Sequence, residues 1–145
     1  MTMNELPQLV RMHKAIGHPV RLRLLAMLRG GPLCVCQMTV IVQLASSTVS
    51  EHLAELRNAG IVTERKEGRW VAYRLAENPV ARKVLAASSR ELERDPDAQA
   101  DAIVLRELRR VSLEELCGAD LDLRKLDRPR LAAAVVKARK IRPRA

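Results

Sequence analysis

Three residues in this 145-residue chain carry soft-donor chemistry: Cys34 and Cys36 in the stretch PLCVCQMTV, and Cys117 far downstream. Two thiols one residue apart admit four readings: a disulfide, a metal-ligand pair, a catalytic nucleophile or core filler. An arsenate-reductase or phosphatase loop needs an Arg six positions after the cysteine. Here those positions are Val40, Val42 and Leu123, so that loop is absent. The N-terminus has no basic start followed by an apolar core, and no apolar run approaches the ~20 residues of a membrane span. The sequence therefore reads as cytoplasmic, with no membrane partner, where thiols stay reduced and a structural disulfide is disfavoured. Thiolates select soft, thiophilic ions. A cysteine at a helix start is expected to have its thiolate favoured by the helix dipole.

These residues need a scaffold, and the chain is 48% apolar, enough for a core. It has no Phe, and its aromatics are Trp70 and Tyr73. That shortage argues against modules that stack single-stranded bases. The net charge of +9 is uneven. Residues 124–145 hold nine Lys/Arg and one Asp, whereas residues 91–122 hold ten acids and four bases.

Helical periodicity predicts helices over about 6–16 and from Pro19 to the Gly30-Gly31 stop, a short one over about 36–44, and one to about Asn58. Ser47 is the expected N-cap of the last of these. The period then changes to alternation, predicting strands at 61–66 and 69–75 joined at Glu67-Gly68. Further helices are expected over 79–94 and 98–111, with a capping box at Ser112–Glu115 before a short helix to Cys117. Residues 119–128 read as loop, and 131–141 as a possible helix.

Helix, helix, short turn, capped helix and hairpin is the order of a winged helix-turn-helix. There the second helix of the pair reads the major groove from its N-terminal side. The fold class is mostly α with a β-hairpin wing. Ser46, Ser47, Thr48 and Ser50 are the reader's candidate contacts, with His52 and Arg57 further along. Arg65, Lys66 and Arg69 at the wing tip suit phosphate contact. The expected division is a DNA-binding and dimerisation unit over 1–94, a helical extension carrying Cys117 over 95–118, and a mobile basic tail over 119–145. That tail would add salt-sensitive, non-specific DNA affinity.

Residues 16–75 resemble the ArsR/SmtB family of metal- and metalloid-responsive repressors. The matching pieces run in order: HPVRLRLL, the CVC box, STVSEHL, LRNAGIV and the GRWVAYRL wing. The resemblance implies a non-enzymatic homodimer, joined through helices 5–16 and 79–94. It would bind operator DNA when free and release it on binding an inducer. It also implies that the CVC box senses a soft ion: arsenite or antimonite, or cadmium or lead. Residues at i and i+2 on a helix do not face each other, so joint ligation requires the backbone from 34 to 36 to lie outside helical geometry or leave it.

Several positions depart from the family pattern. Thr39 stands where the arsenic-responsive box often has a third Cys, and Gln37-Met38 where Asp-Leu is usual. Glu51 replaces a commonly basic residue. Arsenite favours three sulfurs, which makes Cys117 a candidate third ligand, from its own chain or across a dimer. The competing readings are a two-thiol site completed by water or a buffer thiol, and a Cys117 that merely fills a helix-end core. The 79–94 helix contains no His, so the family's Asp/His site for zinc or nickel is not expected. His13 and His18 read as surface or core-edge residues. Two rival readings remain: a thiol redox or sulfide sensor on the same fold, and a protein-interaction module without a DNA role.

Overall fold

Proline opens four of the eight helices of the described residues, 5–142 of the computed structural model: Pro19, Pro79, Pro96 and Pro129. The ring presets φ, and the missing N–H is one that a first helical turn leaves unpaired anyway. The order is α1 (Glu5–Ile16), α2 (Pro19–Leu28), β1 (Leu33–Cys34), α3 (Val35–Val42), α4 (Ser46–Asn58), β2 (Val62–Glu67) and β3 (Trp70–Leu75). Then follow α5 (Pro79–Arg94), α6 (Pro96–Leu108), α7 (Leu113–Gly118), a 3-10 turn at Leu123–Lys125, and α8 (Pro129–Ile141).

One apolar cluster serves both halves. It takes Leu24, Leu25 and Leu28 from α2, Met38 and Ile41 from α3, Val49, Leu53 and Leu56 from α4, and Val104, Leu108, Leu116 and Leu131 from the later helices. Burying such a side chain is worth about 1.5–3 kcal/mol, so the α2–α4 stripes are sufficient to set the helix-turn-helix geometry. The strands form an antiparallel sheet in the order β1-β3-β2, with Glu67 opposite Trp70 at the hairpin tip. Gly68 takes φ +61 there, a turn conformation that a side chain rarely adopts.

Three expectations change. The two-residue strand β1 pairs Leu33 with Tyr73 and Cys34 with Ala72, adding a strand that the sequence pattern does not show. Helix α4 begins two residues early, with Ala45 as its N-cap in place of Ser47 and no side-chain cap; Ser46 and Ser47 are its first exposed residues rather than its cap. Burial of Val49, Leu53 and Leu56 sets that register in place of local capping. The basic stretch expected as a mobile tail contains α8, packed on α6 through Leu131, Ala134 and Ala138. That segment is too short for its own core, so it borrows one.

A buried carboxylate joins these parts. Asp101, 1% exposed, accepts from Arg23 Nε and an Arg23 terminal nitrogen, both at 2.8 Å, and from Arg142 at 2.6 Å. It ties α2, α6 and the end of α8 together. Hydrogen bonding to Asp101 raises the Arg23 pKa, with burial opposing.

Candidate thiol site and nucleic-acid interface

Cys34 is the N-cap of α3, at φ −83° and ψ 156°, and is buried. The backbone at Cys34 is thus extended, already outside the helix that Cys36 has entered, which is one of the two geometries a shared ligand requires. The Cys34 N–H donates to Gln37 Oε1 at 2.8 Å. Gln37 therefore closes the helix start with a neutral acceptor.

Cys117, on α7 of the same chain, is close enough to act electrostatically on the other two thiols. The Cys36 thiol is pushed up to about 11, by burial first, then by the Cys117 and Cys34 sulfurs. The Cys34 thiol is raised too, by burial and then by Glu67 and Cys117. The expected dipole-favoured thiolate is therefore corrected: removal from water outweighs the helix dipole, and both thiols are protonated at neutral pH. The sulfurs are neighbours but not a closed ligand set. Among the described residues, no group of three Cys, His, Asp or Glu is arranged to hold a metal ion. Thr39, at the position of the missing third Cys, is buried and its hydroxyl has no hydrogen-bond partner. The three thiols are free.

On the reader, Ser46, Ser47 and Ser50 are exposed and Thr48 is half-buried. Arg65, Lys66 and Arg69 are exposed on the wing, with the Arg69 guanidinium 4.6 Å from the Trp70 ring centre. His52, half-buried, and Arg57, exposed, are both engaged by other side chains of the protein. Arg21 Nε donates to His52 Nδ1 at 3.1 Å, and the His18 and His52 rings lie 4.5 Å apart. Burial, then the neighbouring His18 and Arg21, lowers the His52 pKa. His18 also caps α2 by accepting from the Val20 N–H. Arg57 pairs with Glu64 at 2.8 Å, and Glu64 also accepts from the Tyr73 hydroxyl at 2.8 Å. Sequence reasoning missed Gln37, Glu64, Asp101 and Arg109. Of these, only Gln37 had a local signal, three residues after an N-cap.

A helix pair with a polar, exposed reader start and a basic hairpin beside it defines a winged helix-turn-helix regulator. Residues 18–64 match the family model described as "Bacterial regulatory protein, arsR family". The chain is 44% identical over 63 residues to the arsenic resistance transcriptional regulator ArsR1 of Pseudomonas putida. That match covers 43% of this chain and 49% of the relative, so it spans about half the relative's length. An uncharacterized HTH-type transcriptional regulator of Methanocaldococcus jannaschii is 41% identical over 68 residues, 46% of this chain and 76% of the relative. Among solved structures, the homodimeric winged helix-turn-helix DNA-binding domain of a possible ArsR-family regulator from Mycobacterium bovis is 32% identical. Its TM-score is 0.52, over 59% of this chain and 84% of that one. The chain belongs to the arsR family of helix-turn-helix regulators. Its relatives are transcriptional regulators rather than enzymes. Among the described residues, no helix is long and apolar enough to cross a membrane.

Proposed function

We propose that this chain is a homodimeric transcriptional repressor that holds operator DNA when free and releases it when a soft ion binds its thiols. The inducer we favour is arsenite or antimonite, with cadmium and lead as further candidates. Cys34 and Cys36 supply two sulfurs, and Cys117 of the same chain supplies the third. The observation that carries this reading is the extended backbone at Cys34, which leaves helical geometry ahead of Cys36, with Cys117 acting on both thiols within one chain. With arsenite, three As–O bonds break and three As–S bonds form. Each leaving hydroxide takes one thiol proton and departs as water, so protonated thiols are competent.

The signal has a route to the DNA face. Leu33 and Cys34 pair directly with Tyr73 and Ala72 of the wing. The Tyr73 hydroxyl holds Glu64, which holds Arg57 near the end of the reader helix. Closing three sulfurs around one ion moves β1 or α7, and a shift of β1 tilts wing and reader together. In this reading Ser46, Ser47, Thr48 and Ser50 face bases and phosphates, and Arg65, Lys66 and Arg69 face phosphates. His52 and Arg57 support them through their contacts with Arg21 and Glu64. Leu6, Leu9, Val10 and Val80 leave apolar surface exposed on α1 and α5, which fits a second copy of the chain. The relative from Mycobacterium bovis is homodimeric.

The Cys36–Cys117 proximity also favours a second reading, reversible oxidation of that pair to a disulfide. Gel shifts on the chain's own upstream promoter, with an ion panel and with an oxidant, test both readings. The wild type is expected to release DNA on adding arsenite, and Cys34→Ser and Cys36→Ser to hold it. Release by both variants sinks the thiol-sensor reading. Absence of specific binding at moderate salt sinks the repressor reading.

A further inference from the structure

We propose that Arg109, at the end of α6, is the positioning residue that sets the distance between Cys117 and the CVC thiols. The proposal rests on the thiol-sensor reading above. Arg109 is the C-cap of α6, and its guanidinium points back into the turn that precedes the CVC box. It donates to Pro32 O at 3.2 Å, Gly31 O at 3.2 Å and Met27 O at 3.4 Å. These carbonyls close the last turn of α2 and lead into β1, where a cation also meets the negative end of the helix dipole. Every bond that Arg109 makes here is to backbone. Burial alone draws its pKa down, with no carboxylate to compensate.

The turn is shaped to admit this side chain. A Cβ on Gly30 would lie 3.3 Å from an Arg109 terminal nitrogen, and Gly31 adopts φ +127, which an L side chain rarely tolerates. The chain on either side carries the thiols. Two residues after Pro32 stands Cys34. Three residues after Arg109 stands Ser112, whose hydroxyl accepts from the Glu115 N–H and starts the helix that bears Cys117. One planar group thus fastens the segment holding Cys34 and Cys36 to the segment holding Cys117. A lysine would keep the charge but lacks the planar fork needed to reach three diverging carbonyls.

A merely stabilising role and a positioning role differ in a double-mutant cycle. Arsenite affinity is read from the sulfur-to-arsenic absorbance of wild type, Arg109→Ala, Cys117→Ser and the double variant, with circular dichroism to confirm the fold. Arg109→Ala is expected to weaken arsenite binding about tenfold, the scale of losing a residue that orients a ligand. In the Cys117→Ser background it should add nothing. Equal weakening in both backgrounds overturns the proposal. A second readout needs no ion: dibromobimane, which bridges two nearby thiols, should crosslink Cys36 to Cys117 in a Cys34→Ser protein several-fold more slowly once Arg109 is replaced. An unchanged rate also overturns it. If the wild type binds no arsenite, the sensor reading fails, while the crosslinking rate still decides the role of Arg109. If Arg109→Ala does not fold, Arg109→Lys carries both readouts, with the same losses expected and wild-type behaviour overturning the proposal.

Discussion

The two helices of the helix-turn-helix begin in opposite ways. Helix α3 starts at a buried thiol whose backbone is paired to the wing and whose N–H is held by Gln37. Helix α4 starts at Ala45 with no side-chain cap and with the Ser46 and Ser47 hydroxyls in solvent. A helix start leaves several N–H groups unpaired. At α3 the protein pairs one of these, the Cys34 N–H, internally in a dry setting, and at α4 it leaves them and two hydroxyls for something outside. The dry start suits a group that receives a signal, and the open start suits one that meets DNA.

The same substitution should have opposite effects at the two starts. Cys34→Asp places a carboxylate in a desolvated site beside Glu67, and is expected to cost about 3 kcal/mol in urea denaturation. If it stabilises the fold, the dry start is refuted. Raising pH applies the same stress without mutation. The Cys36 pKa, raised to about 11 in the fold from 9.0 unfolded, leaves stability intact below pH 9. Above that the unfolded chain ionises first, so stability should fall between pH 9 and 11. The Cys36→Ser protein should show a shallower loss over the same range. Gln37→Ala leaves the Cys34 N–H without its acceptor and should cost about 1–2 kcal/mol. Ala45→Asp supplies the cap that α4 lacks, and should raise stability by about 0.5–1 kcal/mol. Smallest of all, Ser46→Ala with Ser47→Ala should move stability by under about 0.5 kcal/mol, since neither hydroxyl caps the helix. Operator affinity in a gel shift should nonetheless fall. A drop in stability of about 1 kcal/mol or more would restore them to a capping role.

What the sequence could and could not show follows from range. The stripes of α2 and α4, the alternation of β2 and β3, and the Pro19, Pro79 and Ser112 starts are local patterns, and they are present as expected. Strand β1 is two residues long and exists only because Tyr73 and Ala72 sit opposite, which no local period encodes. Helix α8 was legible as a helix, but its packing on α6 was obscured by its charge. Lys137, Arg139 and Lys140 suggested a solvated tail, while Leu131, Ala134 and Ala138 supplied a narrow buried stripe. The CVC pair stood out by spacing, but the approach of Cys117 and the protonation of the thiols depend on burial and on contacts some eighty residues apart. The Arg57–Glu64–Tyr73 chain likewise joins helix to strand across a turn.

Asp101 gives the far end of the molecule an unexpected leverage. A carboxylate sealed at 1% exposure relies on two cations, and one of them is Arg142, just past the last helix. Trimming the protein before that residue, or crowding it with a fused tag, would alter the charge balance of an interior more than forty positions upstream. The fastening of the extension to the reader's supporting helices is therefore exposed to whatever is attached at that edge, which makes the C-terminal side the wrong place for a purification handle.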